Sequence, residues 1–228
     1  MRAKQTTVQH FSRYVRTDKP HISNSYLSTL KRALLGEPQY FGSEHHLTFG
    51  TEHHKRTLEP EEAPTMLERD ELLAQTMSAS FRCHPYSAPL LQYKTEVEYD
   101  VYFMGVLVKV ILDIETPDSV HDLKGTKCDS WDKFFKSARD FDYFRQAALY
   151  KGVSLKPVEF IGQGKKLIEC GPRDPGAVQY GIGWVRHELF PLNTEDYPNL
   201  LKEGRDELHE LISIHKHLRK YYERHKAA

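Results

Sequence analysis

The sequence predicts an α/β domain in which a small mixed central sheet is flanked by helices. Three observations carry this. Residues 21–83 space their apolar side chains as helices do, residues 93–124 alternate and are rich in Val, Tyr and Thr, and helical and strand-like stretches then interleave from residue 131 onward. The chain has 228 residues, 39% of them hydrophobic and 11% aromatic, which suffices for one sizeable core.

Residues 1–20 are polar and irregular and read as an N-terminal arm; 21–228 read as a single domain with a C-terminal helix. A first helix runs to about Leu35, with Ser23 or Asn24 as N-cap, Leu27, Leu30 and Leu34 on one stripe, and Gly36 with Pro38 as the stop. A second helix is expected over 49–60. A third is expected over 61–83, with Met66, Leu67, Leu72, Leu73 and Met77 as its apolar positions. Strands follow at 93–102 and 106–114, and a short one ends at Asp122-Leu-Lys124, after a turn at Pro117-Asp118. Residues 131–151 read as one long helical stretch. Further strands are expected at 157–161, 166–170 and 179–189, with a turn over 171–176, before a last helix at 197–225.

Composition excludes several classes. Lys plus Arg and Asp plus Glu number 32 each, so any nucleic-acid contact must be local rather than the work of an overall positive field. No apolar run approaches the ~20 residues of a membrane span; the best candidate, 106–114, is interrupted by Lys109 and Asp113. The start, MRAKQTTVQHF, lacks an apolar stretch, so a cytoplasmic location is the expectation. Three scattered cysteines, Cys83, Cys128 and Cys170, argue against a disulfide framework or a cysteine metal site. His45-His46 and His53-His54 are adjacent pairs whose members point about 100° apart on a helix, so neither pair chelates by itself.

The chemistry concentrates between Gly105 and Tyr150. Asp113 ends one strand, and Asp122 and Lys124, two apart, share a face of the next. Two carboxylates and one ammonium in a small volume suit phosphodiester hydrolysis. The carboxylates would hold a hard divalent cation, and the lysine would orient water or offset developing charge. On its own, an Asp-x-Lys triplet also fits a strand-end salt bridge.

The stretch GVLVKVILDIETPDSVHDLKGTKCDSWDKFFKSARDFDYFRQAALY resembles the core of the PD-(D/E)XK nucleases, within them the exonuclease VIII and lambda-exonuclease-like branch of phages and mobile elements. Gly105, Lys109 and Asp113 match its first element. DLKGT matches its second, with Gly125 where the family has threonine, and Gln146 and Tyr150 match a pair four apart on the next helix. FGTEHHKRTLEP resembles an upstream helix whose histidine falls at His54, and ISNSYLSTLKRALLGEP resembles the opening helix. The family's proline before the first aspartate is replaced by Leu112.

The resemblance implies a restriction-endonuclease-like core and Mg²⁺- or Mn²⁺-dependent hydrolysis of DNA phosphodiesters, as an exonuclease in recombination or phage DNA processing. It implies Asp113, Asp122, His54 and a first-strand glutamate, Glu96 or its rival Glu98, as metal ligands. Lys124, Gln146 and Tyr150 would complete the catalytic set. Lys133, Lys136 and Arg139, at helical spacing three, form a basic stripe that is either solvated or a contact for DNA phosphates. Self-association and a single-strand annealing partner are further implications of the branch. A catalytically silent nuclease fold, or a nuclease for RNA or branched DNA, remains the alternative.

Overall fold

The computed structural model describes residues 21–37, 44–62 and 68–225. The expected arm at 1–20, and the expected roles of Pro38, Met66 and Leu67, lie outside them.

Helix α1 (Asn24–Leu34) begins where Ser23 Oγ accepts the Tyr26 N–H at 3.3 Å. It buries Leu27 and Leu30 completely, leaves Leu34 exposed at its last turn, and gives way to Gly36 at φ +69°. Helix α2 (Glu44–Leu58) starts earlier than expected. Helix α3 (Glu68–Cys83) buries Met77 but exposes Leu72, which belongs to its outer face. Pro60–Glu62 form a separate 3₁₀ turn, so residues 61 and 62, expected to open that helix, lie outside it.

Six strands build one sheet in the order β1-β2-β3-β4-β6-β5. They are β1 (Lys94–Phe103), β2 (Val106–Glu115), β3 (Val120–Thr126), β4 (Val158–Glu169), β5 (Val178–Tyr180) and β6 (Gly183–Asn193). Only β3 and β4 run parallel, over seven residue pairs from Val120↔Val158 to Thr126↔Gly164. A parallel pair needs a long crossover, supplied by α4 (Trp131–Asp140) and α5 (Tyr143–Ser154). Helix α6 (Pro198–His225) closes the chain and packs on α5 through Leu208, Leu211 and Ile212.

Three expectations are corrected. The single helix expected over 131–151 breaks at Phe141-Asp142, where Asp142 takes a left-handed φ of +57°. Its carboxylate is held there by Lys31 at 2.6 Å and Arg145 at 3.0 Å. The two strands expected at 157–161 and 166–170 are one strand, β4, whose register on β6 shifts between Gln163 and Leu167. The strand expected over 179–189 is a hairpin, β5–β6, turned at Gly181 with φ +58°.

The sheet separates two apolar layers. Val120, Phe160 and Leu112 join α1, α4, α5 and α6 on one side, while Leu123, Ile161 and Ile114 join Leu58 of α2 and Phe81 of α3 on the other. Arg145 of α5 is buried within the helical layer, donating to Asn24 Oδ1, Ser28 Oγ, Asp142 and Glu207. It ties α1, α5 and α6 together. Helix α6 approaches α5 so closely at Gly204 that a Cβ there would fall 2.4 Å from the Phe144 carbonyl carbon. Gly204→Ala therefore forces the two helices apart, and urea denaturation should show a loss of about 1–3 kcal/mol, the usual range for overpacking.

Candidate metal centre

Antiparallel β2 and β3 pair at only two positions, Ile114↔His121 and Glu115↔Val120. Beyond them the strands part. Asp113 sits at the fork, and its Oδ2 accepts the Leu123 N–H at 2.7 Å, so a side chain takes a donor that a continued ladder would have used. The strand also rotates here: Leu112 and Ile114, two apart, join opposite apolar layers instead of sharing a face. Across the β1–β2 ladder the same level is irregular. Lys94↔Glu115, Thr95↔Ile114 and Val97↔Leu112 are paired, and between them Glu96 takes φ +50°, strained for a residue with a Cβ.

That distortion brings three donors together. One ligand atom each from His54, Glu96 and Asp113 lie within 4.8 Å of one another, and His54 Nδ1 is 3.4 Å from Asp113 Oδ2. Glu98, the rival of Glu96, is instead paired with Lys109 at 2.5 Å on the exposed surface. His53 turns into the core, where its Nε2 bonds Gln163 Oε1 at 2.9 Å.

Asp122 is not part of this triplet. It is 1% exposed, and its Oδ1 lies 2.6 Å from Lys124 Nζ without a well-aligned hydrogen bond, while Oδ2 accepts from Gln146 Nε2 at 2.7 Å. The Gln146 amide also donates to the Tyr150 hydroxyl at 2.8 Å, as residues four apart on one helix face can do. Lys124 Nζ stands 5.3 and 5.8 Å from the ring centroids of Tyr143 and Phe160. Sequence reasoning missed these two aromatic walls. Phe160 is Asp122's partner in the parallel ladder, a pairing across 38 residues that no local pattern announces.

The basic stripe is divided. Lys133 is held by Asp129 at 2.7 Å. Lys136 and Arg139 line a cleft of about 540 Å³ between α4, α5 and α6, shared with the acidic Asp140, Glu203 and Glu207.

The electrostatics are those of a site short of positive charge. Burial, then the neighbouring Asp122 charge, pushes the Asp113 carboxyl well above its usual range. Burial, then Asp113, pushes Glu96 up to about 7. Burial lowers His54, and the Lys124 charge lowers it further, which favours the neutral imidazole. Burial alone would lower the Lys124 ammonium, but Asp122, Tyr143, Tyr150 and Asp113 together outweigh it and hold the lysine in its charged form. A neutral imidazole beside two carboxylates that are costly to ionise unaided fits a divalent cation, whose charge would offset both.

No protein-family profile and no curated protein matches the chain. The mixed six-stranded sheet with its flanking helices is consistent with an α/β, restriction-endonuclease-like core. A crystal structure from Eubacterium rectale, provisionally named an exonuclease, is similar in fold, with a TM-score of 0.60 at 15% identity, over 88% of this chain and 82% of that one. At that identity the likeness bears on fold alone.

A pH dependence follows. A carboxyl whose folded pKa is raised contributes stability below its unfolded pKa, and that contribution is lost as pH rises through the folded value. Metal-free protein should therefore lose stability as pH rises from about 4.5 through about 7, the span over which Glu96 ionises, with the raised Asp113 carboxyl acting in the same direction. Asp113→Asn should melt a few degrees higher than wild type at pH 8 in EDTA, with the gap closing toward pH 5; equal melting curves at pH 8 would count against the strained carboxylates.

Proposed function

We propose that this protein is a Mg²⁺- or Mn²⁺-dependent nuclease that hydrolyses DNA phosphodiester bonds, acting on duplex ends as an exonuclease in recombination or phage DNA processing. The observation that carries the reading is the His54, Glu96 and Asp113 donor set at the strand fork, next to the buried Asp122–Lys124 pair. The sequence resemblance supports the same residues and alone supports the exonuclease branch, its self-association and an annealing-protein partner.

In this reading Asp113, Glu96 and His54 hold the cation, and Asp122 joins them through the oxygen now facing Lys124. Carboxylate oxygens suit Mg²⁺, and the imidazole extends the set to Mn²⁺. When bound, the cation supplies water activation and charge neutralisation at the scissile phosphate. Lys124, kept protonated in a low-dielectric pocket walled by Tyr143 and Phe160, stabilises charge that develops on the phosphate oxygens. Gln146 fixes the Asp122 carboxylate with one amide hydrogen, and the other, held by the Tyr150 hydroxyl, can turn toward the attacking water. Lys133, Lys136 and Arg139 are proposed to meet the DNA backbone at the rim.

The test uses linear and circular duplex DNA with Mg²⁺, Mn²⁺ or EDTA. Wild type should degrade linear duplex in metal and spare circles; cleaved circles would replace the exonuclease by an endonuclease. Asp122→Ala should lose activity by about 10²-fold or more while holding DNA at least as tightly, because a charge that repels phosphate is gone. Lys124→Ala should lose activity comparably but still bind Mn²⁺ in calorimetry. Wild-type rates in either variant would remove the assigned centre.

A further inference from the structure

Beyond the metal centre, β3 and β4 leave the sheet side by side as Asp122-Leu-Lys-Gly-Thr-Lys127 and Ile161-Gly-Gln-Gly-Lys-Lys166. Their parallel ladder pairs Lys124 with Gly162 and ends at Thr126↔Gly164. The next residue on each strand is a lysine, Lys127 and Lys165. The glycines have a packing reason: a Cβ at Gly162 would meet the Phe134 ring at 2.6 Å, and one at Gly164 the Cys128 carbonyl oxygen at 3.1 Å.

Lys165 is not a loose surface side chain. It is partly buried, and its Nζ lies 3.7 Å from the centroid of the Phe49 ring of α2, which is itself stacked on His53. Burial, and then the Lys127 charge, lowers the Lys165 ammonium, and Asp70 is the acidic group acting the other way. The two lysines thus stand just past the ends of neighbouring parallel strands. Among the described residues neither holds a carboxylate within ion-pair distance, whereas Lys124, Lys133 and Lys151 each do. Exposed Lys166 extends the same edge. Like charges held together are stabilised when an anion lies between them. Three residues of strand place this pair about 10 Å along the strand from Lys124, a distance on the order of two successive phosphates of one DNA strand.

We infer that the ends of β3 and β4 form a phosphate-binding track that leads a DNA strand to the metal centre, with Lys127 and Lys165 gripping its backbone and Phe49 fixing the Lys165 head. This rests on the nuclease reading above for the identity of the polyanion, but it concerns binding and is measured without cleavage.

The experiment is fluorescence anisotropy of a labelled linear duplex with wild-type protein in EDTA, across a NaCl series. Lys127→Ala and Lys165→Gln should each weaken binding several-fold and reduce the slope of log affinity against log salt by about 0.9. Lys127→Arg should restore the slope, and Lys202→Ala, on the exposed face of α6, should leave it unchanged. Lys127 is exposed, so its variant tests the track even if Lys165→Gln disturbs the packing on Phe49. Slopes unchanged in both variants overturn the track, while metal-dependent cleavage by wild type would leave the nuclease reading standing. Reduced slopes with no cleavage in Mg²⁺ or Mn²⁺ uphold the track and remove the nuclease reading. Absence of wild-type duplex binding overturns the track, and tighter binding of an RNA duplex of the same sequence overturns its assignment to DNA.

Discussion

The parting of β3 from β2 after two residue pairs is the constraint on which the centre depends. A sheet that divides leaves main-chain donors and acceptors without ladder partners, and buried ones must be satisfied locally. Here the Leu123 N–H goes to Asp113, while Ile22 covers the exposed edge of β2, donating to Leu107 O at 2.9 Å and accepting from Lys109 N at 2.8 Å. Because β3 continues in parallel with β4, the chain must cross over through α4 and α5. That crossover lays α5 against the sheet with Gln146 reaching Asp122. Fork, carboxylate and helix are one solution to a single hydrogen-bonding problem.

The same arrangement makes the centre electrostatically costly. Asp113, Asp122 and Glu96 crowd together with one ammonium, Lys124, to balance them, and Glu96 sits in strained backbone as well. Such strain persists only where the surroundings over-determine it. The stiffness comes from the next residue along α5. Arg145 and Gln146 are adjacent, so they point about 100° apart: Gln146 faces the carboxylates, and Arg145 is clamped by Asn24 and Ser28 of α1, Asp142 of the α4–α5 break and Glu207 of α6. A buried guanidinium with all three nitrogens hydrogen-bonded on one side of α5 holds steady the under-compensated carboxylates on the other.

Much was legible in the sequence because it is local. The mixed α/β character, α1 with its cap, the alternation of β1 and β2, and the pairing of residues four apart in α5 follow from spacing and cap chemistry, which act over a few residues. So does the convergence of Asp122 and Lys124 on one face of β3. The length of the crossover helix was misread because the break at Asp142 is stabilised by Lys31, more than a hundred residues away. The joined strand β4 was misread because glycines that look like punctuation are required by the Phe134 ring and the Cys128 carbonyl pressing on them.

The centre shows the same division. Sequence by itself determined which residue types are present and that Asp113 precedes an Asp-x-Lys strand, and the family resemblance pointed to His54 and to Glu96 ahead of Glu98. The tertiary structure brings His54 and Glu96 beside Asp113 and supplies the physical reason. In a regular strand Glu96 and Glu98 share a face; the left-handed backbone at Glu96 turns it toward Asp113 and leaves Glu98 to Lys109. His53 and His54 are likewise equivalent as letters, but helix rotation and the position of α2 on the sheet send the first to Gln163 and the second to Asp113. Local sequence sets what a side chain can do, and long-range packing sets where it points, because orientation depends on contacts that close over tens of residues.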